Sequence, residues 1–179
     1  YEKVIEQNVR QKLQGPSLEH VFGTDELGRD MLARVLYGGR ISLLCGIAII
    51  AIAFIFGAII GGIAGFIGGK VDTVLMRIVD ALMAVPPALL AMAIITALGN
   101  GVLNLVIALA IAQIPRFART VRSSVLTLRN MEYVEAAKCY GSSSMRIIVK
   151  HILPNGIGPI VVAATLTLGA VILSISSMG

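Results

Sequence analysis

The sequence predicts an all-α, polytopic membrane protein, and three observations carry that expectation. Hydrophobic residues make up 56% of the chain and charged residues only 14%, against roughly 25% charged in a soluble domain. The mean hydropathy is +0.87. Uncharged runs cover residues 41–69, 81–115 and 152–179, and each exceeds the roughly 20 apolar residues a helix needs to cross a hydrocarbon core. A water-soluble fold is excluded on that composition.

Taken in order, span one lies between Arg40 and Lys70 and is placed at 41–67. The second run, bracketed by Asp80 and Arg116, is divided by Gly99-Asn100-Gly101 into span two at 73–98 and span three at 102–118. Arg77 and Asp80 are then expected near the headgroups, because a central Asp costs about 2.5–3.5 kcal/mol. Span four occupies 156–178, with Pro154 and Pro159 near its start, where proline is tolerated. Residues 1–40 form a separate charged segment, residues 41–179 the membrane domain, and residues 119–153 a loop within it. The chain begins without a start methionine and stops while still apolar, so a fragment of about four spans is expected.

Sidedness follows from the basic residues. Arg116, Arg119, Arg122, Arg129, Lys138, Arg146 and Lys150 lie within 115–153, and the turn at 99–104 has none, which makes the longer loop cytoplasmic. Alternation puts residues 1–40 outside, where six Lys or Arg are matched by six Asp or Glu. The net charge of +5 comes from residues flanking spans, with few aromatics between them, so anionic lipid is the expected partner and nucleic acid is not. Cys45 and Cys139 are too few for a disulfide or metal framework.

Within 25–37, Leu27, Met31, Leu32, Val35 and Leu36 share one helical face and Arg29, Asp30 and Arg34 the other. An amphipathic interfacial helix ended by Gly38-Gly39 is expected. Asp25, Glu26 and Asp30 do not have calcium-loop spacing. Gly57, Gly61, Gly65 and Gly69 recur every four residues in span one, a stripe for close helix packing. Gly68-Gly69-Lys70 is no phosphate loop, since Ala64 and Val71 stand where that motif needs Gly and Ser or Thr. Pro86-Pro87 predicts a kink or break in span two. Asn100, Asn104 and Gln113 carry no assigned role.

The cytoplasmic loop has finer structure. Arg116, Arg119, Arg122 and Arg129 make a basic stripe expected to face lipid. Residues 132–140 suit a helix, Gly141 suits the positive φ that ends one, and Ser142-Ser143-Ser144 offers a cap for the next. There Met145, Ile148, Val149 and Ile152 form the apolar face, with Arg146 and Lys150 opposite. Ala136 and Ala137 leave little bulk, so the first helix could sit in a groove on another protein. An exposed helical hairpin fits the same residues equally well.

Glu135-Ala136-Ala137-Lys138-Cys139-Tyr140-Gly141, followed by Ile152-Leu153-Pro154, resembles the EAA signature of permease subunits of binding-protein-dependent ABC importers. His151-Ile152-Leu153-Pro154-Asn155 departs from the general pattern, which has Ile at the His151 position, and is similar to the form in the dipeptide, oligopeptide and nickel branch. Gly23-Thr24-Asp25-Glu26-Leu27-Gly28-Arg29-Asp30, with Arg34, Tyr37-Gly38 and Arg40-Ile41-Ser42-Leu43, resembles the segment before the second span of that branch's C-type permeases. The resemblance implies a MetI-like helix bundle of six spans in a prokaryotic inner membrane, of which this chain holds the second to fifth. It also implies a homologous second permease, two ATP-binding subunits and an extracytoplasmic solute-binding protein. Glu135, Ala136, Ala137 and Gly141 then occupy the ATPase-coupling motif: a charged contact, close packing and the turn that aims the helix. The implied solute is a peptide, with nickel or a metal chelate as the alternative.

Other classes fit less well. An ion-coupled carrier needs an ionisable residue deep in a span, and an intramembrane enzyme needs a nucleophile and base there. His20 and His151 are both outside the spans. A purely structural subunit accounts for the glycine stripe but not the EAA pattern. No catalytic, cofactor-binding or metal-binding residue is assigned.

Overall fold

The computed structural model describes residue 8 and residues 11–178. The chain divides into two compact units, Tyr1–Cys45 and Gly46–Gly179. Among the described residues the regular structure is helical, apart from one isolated bridge between Thr24 and Asp30. An all-α membrane fold is therefore what the sequence forms.

In the first unit, charged side chains organise a turn and not a helix. The Asp25 carboxylate accepts the Leu27 and Arg29 N–H groups at 2.8 and 2.9 Å and pairs with Arg29 Nε at 2.8 Å and with Arg34. Those backbone bonds, from Arg29 first, and the Arg29 guanidinium hold its carboxyl well below the usual range. Asp30 Oδ1 accepts the Ala33 N–H at 2.8 Å while its other oxygen lies 2.9 Å from His20 Nδ1. Both contacts, the backbone bond foremost, lower the Asp30 pKa. Thr24 is buried, its hydroxyl bonded to Gln11 O and accepting the Gln14 N–H.

Asp30 thus caps α1, Met31–Ile67. The helix expected over 25–37 begins six residues later, because Asp25 spends its oxygens on the turn. Nor do Gly38-Gly39 end it: α1 runs 37 residues through both. The cost of glycine in a helix, about 1 kcal/mol each, is small beside the hydrogen bonds that an apolar span must make internally.

The second unit continues with α2 (Gly69–Met83), α3 (Pro87–Leu98), α4 (Val102–Leu128), α5 (Glu132–Cys139), α6 (Ser144–Ile147), a π turn (Ile148–Ile152), α7 (Leu153–Asn155) and α8 (Ile157–Met178). Gly68 and Gly69, at φ of 71° and 57°, make the corner between α1 and α2. Span two, expected over 73–98, is two helices bent by 84°. Pro86 is extended at φ −53° and ψ 133°, and Pro87 opens α3, so neither proline has to supply an N–H inside a helix. The α3–α4 turn is closed by Asn104, whose Nδ2 donates to Leu98 O and Gly99 O at 3.0 Å each. α4 continues unbroken past residue 118, with Pro115 buried inside it.

By length and composition α1, α4 and Ile157–Ser177 can each cross a membrane, and α2 with α3 makes a fourth if the bent pair counts as one span. The core lies where the C-terminal half of α1 meets α4. Phe54 and Phe117 stack edge to face at 6.2 Å, and Ala58, Val121, Val125, Val134, Ile147 and Ile152 cluster beside them.

Candidate coupling site

α5 begins after Met131, whose extended backbone leaves its carbonyl free to accept the Val134 and Glu135 N–H groups at 2.9 and 3.1 Å. Glu132 and Glu135 sit in the first turn and Lys138 in the last, each of the sign the helix dipole favours there. The far end is closed by two backbone bonds, Gly141 N to Lys138 O at 2.9 Å and Ser142 N to Ala137 O at 3.1 Å. That pairing needs the residue after the cap in the left-handed region, and Gly141 is there at φ 76°. Open space surrounds the Gly141 Cα. Its requirement is conformational, not steric.

The eight residues of α5 have two distinct faces. Val134 and Ala137 are buried against Val121 and Val125 of α4 and Ile147 and Ile152 of the segment that follows. Lys138 folds back so that Nζ lies 5.4 Å above the Phe66 ring of α1. Glu132, Tyr133, Glu135, Ala136 and Tyr140 point away, Tyr140 being 91% exposed. The four expected coupling residues are therefore divided: Glu135 and Ala136 face outward, Ala137 packs inward, and Gly141 makes the turn. Ala137 therefore makes its close packing within this chain, in the cluster around Val121 and Val125. Val134 and Ala137 are three residues apart and so share the one face of α5 that is covered.

The next segment departs from a regular amphipathic helix. Ser143 occupies the cap position without a side-chain cap bond. Ile147, Ile148 and Ile152 are buried, whereas Met145 and Val149 are more than half exposed. The cause is the π turn, in which the Leu153 N–H reaches Ile148 O. Pro154 has no N–H to give Lys150 O, and the wider turn shifts the buried stripe at that point.

Three of the four stripe glycines sit in the α1–α4 seam. A Cβ at Gly57 would meet Phe117 Cβ at 2.5 Å, one at Gly61 would meet Ala118 O at 2.2 Å, and one at Gly65 would meet Val125 Cβ at 2.9 Å. Gly69 does not belong with them. It lies beyond the end of α1, at positive φ, with nothing within 4 Å. The chain turns at Gly68 and breaks the four-residue period there.

Of the four arginines expected to face lipid, Arg116 is exposed, whereas the other three have partners within the chain. Arg122 forks onto Asp72, Arg119 pairs with Asp80 at 2.6 Å, and Arg129 donates to Gly65 O at 3.0 Å. These partners lie 39 to 64 residues away in the chain, beyond the reach of local pattern. Only the occurrence of Asp72 and Asp80 beside membrane spans hinted at them. On its other side α4 lines an open groove of about 480 Å³ with Thr120, Ser123, Ser124 and Thr127, completed by Asn155 and Pro159. Among the described residues no three His, Cys, Asp or Glu side chains gather as a metal site.

Among the described residues, three to four apolar helices long enough to cross a membrane, with a short two-faced helix between them, define a multi-pass α-helical membrane protein. Residues 55–178 match the binding-protein-dependent transport system inner membrane component family, and the chain belongs to that family. It is 47% identical over 174 residues to the dipeptide transport system permease protein DppC of Alkalihalophilus pseudofirmus, covering 97% of this chain and 57% of that protein. It is 41% identical to the probable D,D-dipeptide transport system permease protein DdpC of Escherichia coli, over 94% of this chain and 56% of the relative. It is also 41% identical to the glutathione transport system permease protein GsiD of Pectobacterium atrosepticum, over 92% of this chain and 55% of the relative. The chain thus spans little more than half the length of these relatives.

Proposed function

We propose that this chain is part of the permease subunit of an ATP-driven importer, that it forms half of a solute pathway, and that α5 couples it to a separate ATPase. The observation that carries this reading is the geometry of α5: inner face anchored by Val134 and Ala137, outer face presenting Glu135 and Ala136, far end aimed by Gly141. An anchored helix transmits a push, and an unanchored one would only bend. The transporter would also comprise a homologous second permease, two ATP-binding subunits and an extracytoplasmic solute-binding protein. It would lie in a prokaryotic cell membrane, with α5 cytoplasmic and residues 1–40 outside. The names of the relatives, for dipeptide, D,D-dipeptide and glutathione transport, favour a small peptide as solute over nickel or a metal chelate. Hydrolysis of ATP belongs to the partners.

The test is co-purification of the full-length permease with its ATPase from membranes, native against Glu135→Lys and Gly141→Pro. Proline cannot adopt the φ of 76° found at Gly141, and Glu135→Lys reverses the charge of an exposed contact. Both are expected to reduce the bound ATPase and peptide uptake together. ATPase association and uptake unchanged in both variants would refute the coupling role.

A further inference from the structure

The corner between α1 and α2 is held by Arg122 of α4 and by Arg129, the residue that caps its C-terminal end. Arg122 Nε and Nη2 lie 2.5 and 2.6 Å from the two oxygens of Asp72, a planar two-point fork. Arg129 Nη1 donates to Gly65 O at 3.0 Å, in the last turn of α1, where helix carbonyls lack intrahelical partners. Seven residues apart, the two arginines share one face of α4. A third pair, Arg119 Nη2 to Asp80 Oδ1 at 2.6 Å, reaches the far end of α2 and is about half exposed at both partners.

These contacts join parts of unlike rigidity. The C-terminal half of α1 is packed on α4 at Gly57, Gly61 and Gly65, where a single methyl group would collide with backbone or Cβ atoms. α5 is buried into the same body through Val134 and Ala137. α2 is held differently. It has a glycine corner at one end, Gly68 and Gly69 both at positive φ, and an 84° bend before α3 at the other. Val79 is its only buried residue, and Val71, Val74 and Ile78 are exposed. Within this chain, α2 lies between a glycine corner and a bend and packs on the body beside it through few apolar side chains. Its polar links to α4 are the Asp72 and Asp80 pairs, beside the packing of Val79 and of half-buried Leu75 and Met76.

We propose that the Asp72–Arg122 fork is the tie through which displacement of the α1–α4–α5 body is delivered to α2, and from there to α3. The proposal rests on the coupling role of α5 given above. Asp72 and Arg122 are on this reading positioning residues of the coupling step: they touch neither ATP nor solute. The fork fixes direction as well as distance, because two parallel N–H···O bonds resist rotation of α2 about the glycine corner. Lysine at 122 would keep the charge and lose that restraint.

The experiment uses the complete transporter with its ATPase subunits in liposomes, with ATP hydrolysis and uptake of a labelled dipeptide measured on the same vesicles. The variants are Arg122→Ala, Arg122→Lys, Asp72→Asn and the reciprocal exchange Arg122→Asp with Asp72→Arg. Hydrolysis is expected to stay within about twofold of native while dipeptide taken up per ATP falls by roughly tenfold in the single variants, with partial recovery in the exchange. Uptake per ATP unchanged in Arg122→Ala and Asp72→Asn would overturn the proposal. So would equal losses of hydrolysis and uptake in an assembled complex. Failure of every variant to assemble, near-isosteric Asp72→Asn included, would overturn it too, by reducing the pair to a folding role. Failure of the coupling role itself shows separately, as Glu135→Lys retaining its ATPase.

Discussion

Gly61→Ala adds one methyl group to α1 at the point where α4 comes nearest. An ideal Cβ there lies 2.2 Å from Ala118 O and 2.9 Å from Arg122 N. Both are backbone atoms of a regular helix, so no side chain can rotate away. Restoring van der Waals distance requires the helices to part by on the order of 1 Å. That separation also loosens Phe117 and Val125, which touch the neighbouring glycine positions. Overpacking of this kind costs about 1–3 kcal/mol, and a rigid backbone obstacle puts Gly61 at the upper end. Gly38→Ala in the same helix is the control. Nothing lies within 4 Å of Gly38, so the change only removes the backbone freedom of glycine, worth about 0.5–1 kcal/mol in favour of alanine. The same substitution is thus expected to destabilise at 61 and to be neutral or mildly stabilising at 38. Thermal unfolding in a constant lipid or detergent background reads both. Gly61→Ala no less stable than Gly38→Ala would refute the seam.

Ala137→Leu is expected to destabilise by about 1–3 kcal/mol in that assay, since Ala137 is 9% exposed within the core cluster. Ala136→Leu, on the open face, should leave stability within about 0.5 kcal/mol and lower ATPase association. At Gly141, Asn should retain more coupling than Val, because Asn tolerates the left-handed region that Gly141 occupies at φ 76°; ATPase association of the two variants checks it. Asp25 and Asp30 have folded pKa values below their ordinary ones, so the stability they contribute is complete above the unfolded value of about 3.9 and is lost as pH falls through the folded values. Amide exchange at Leu27, Arg29 and Ala33, corrected for intrinsic rates, should therefore accelerate only below about pH 4. Asp25→Asn should remove the acid response at Leu27 and Arg29 and leave it at Ala33.

Much of the α5 segment was legible because its determinants are local. Gly141 ends α5 as expected, since the need for positive φ is met by one residue type and shows in sequence as Gly after a helix-compatible run. The inward turn of Ala137 was not legible: which side of α5 is covered depends on α4 and on isoleucines beyond Gly141. The Ile147, Ile148 and Ile152 face was obscured by the π turn, whose only local sign is Pro154. Continuation of α1 through Gly38-Gly39 was not legible locally, because two adjacent glycines have the signature of a helix stop and only the apolar span behind them overrides it.

By itself the sequence determined the membrane-spanning all-α class, the break at Pro86-Pro87, the α5 helix with its glycine turn, and the family. Each of these follows from composition, from a missing N–H or Cβ, or from a contiguous motif. The tertiary structure alone decided the partners of Arg119, Arg122 and Arg129, the inward role of Ala137, the exclusion of Gly69 from the glycine seam and the 84° angle between α2 and α3. The physical reason is range. Backbone preferences act over a few residues, whereas an ion pair between Asp72 and Arg122 exists only once the chain has folded back over 50 residues.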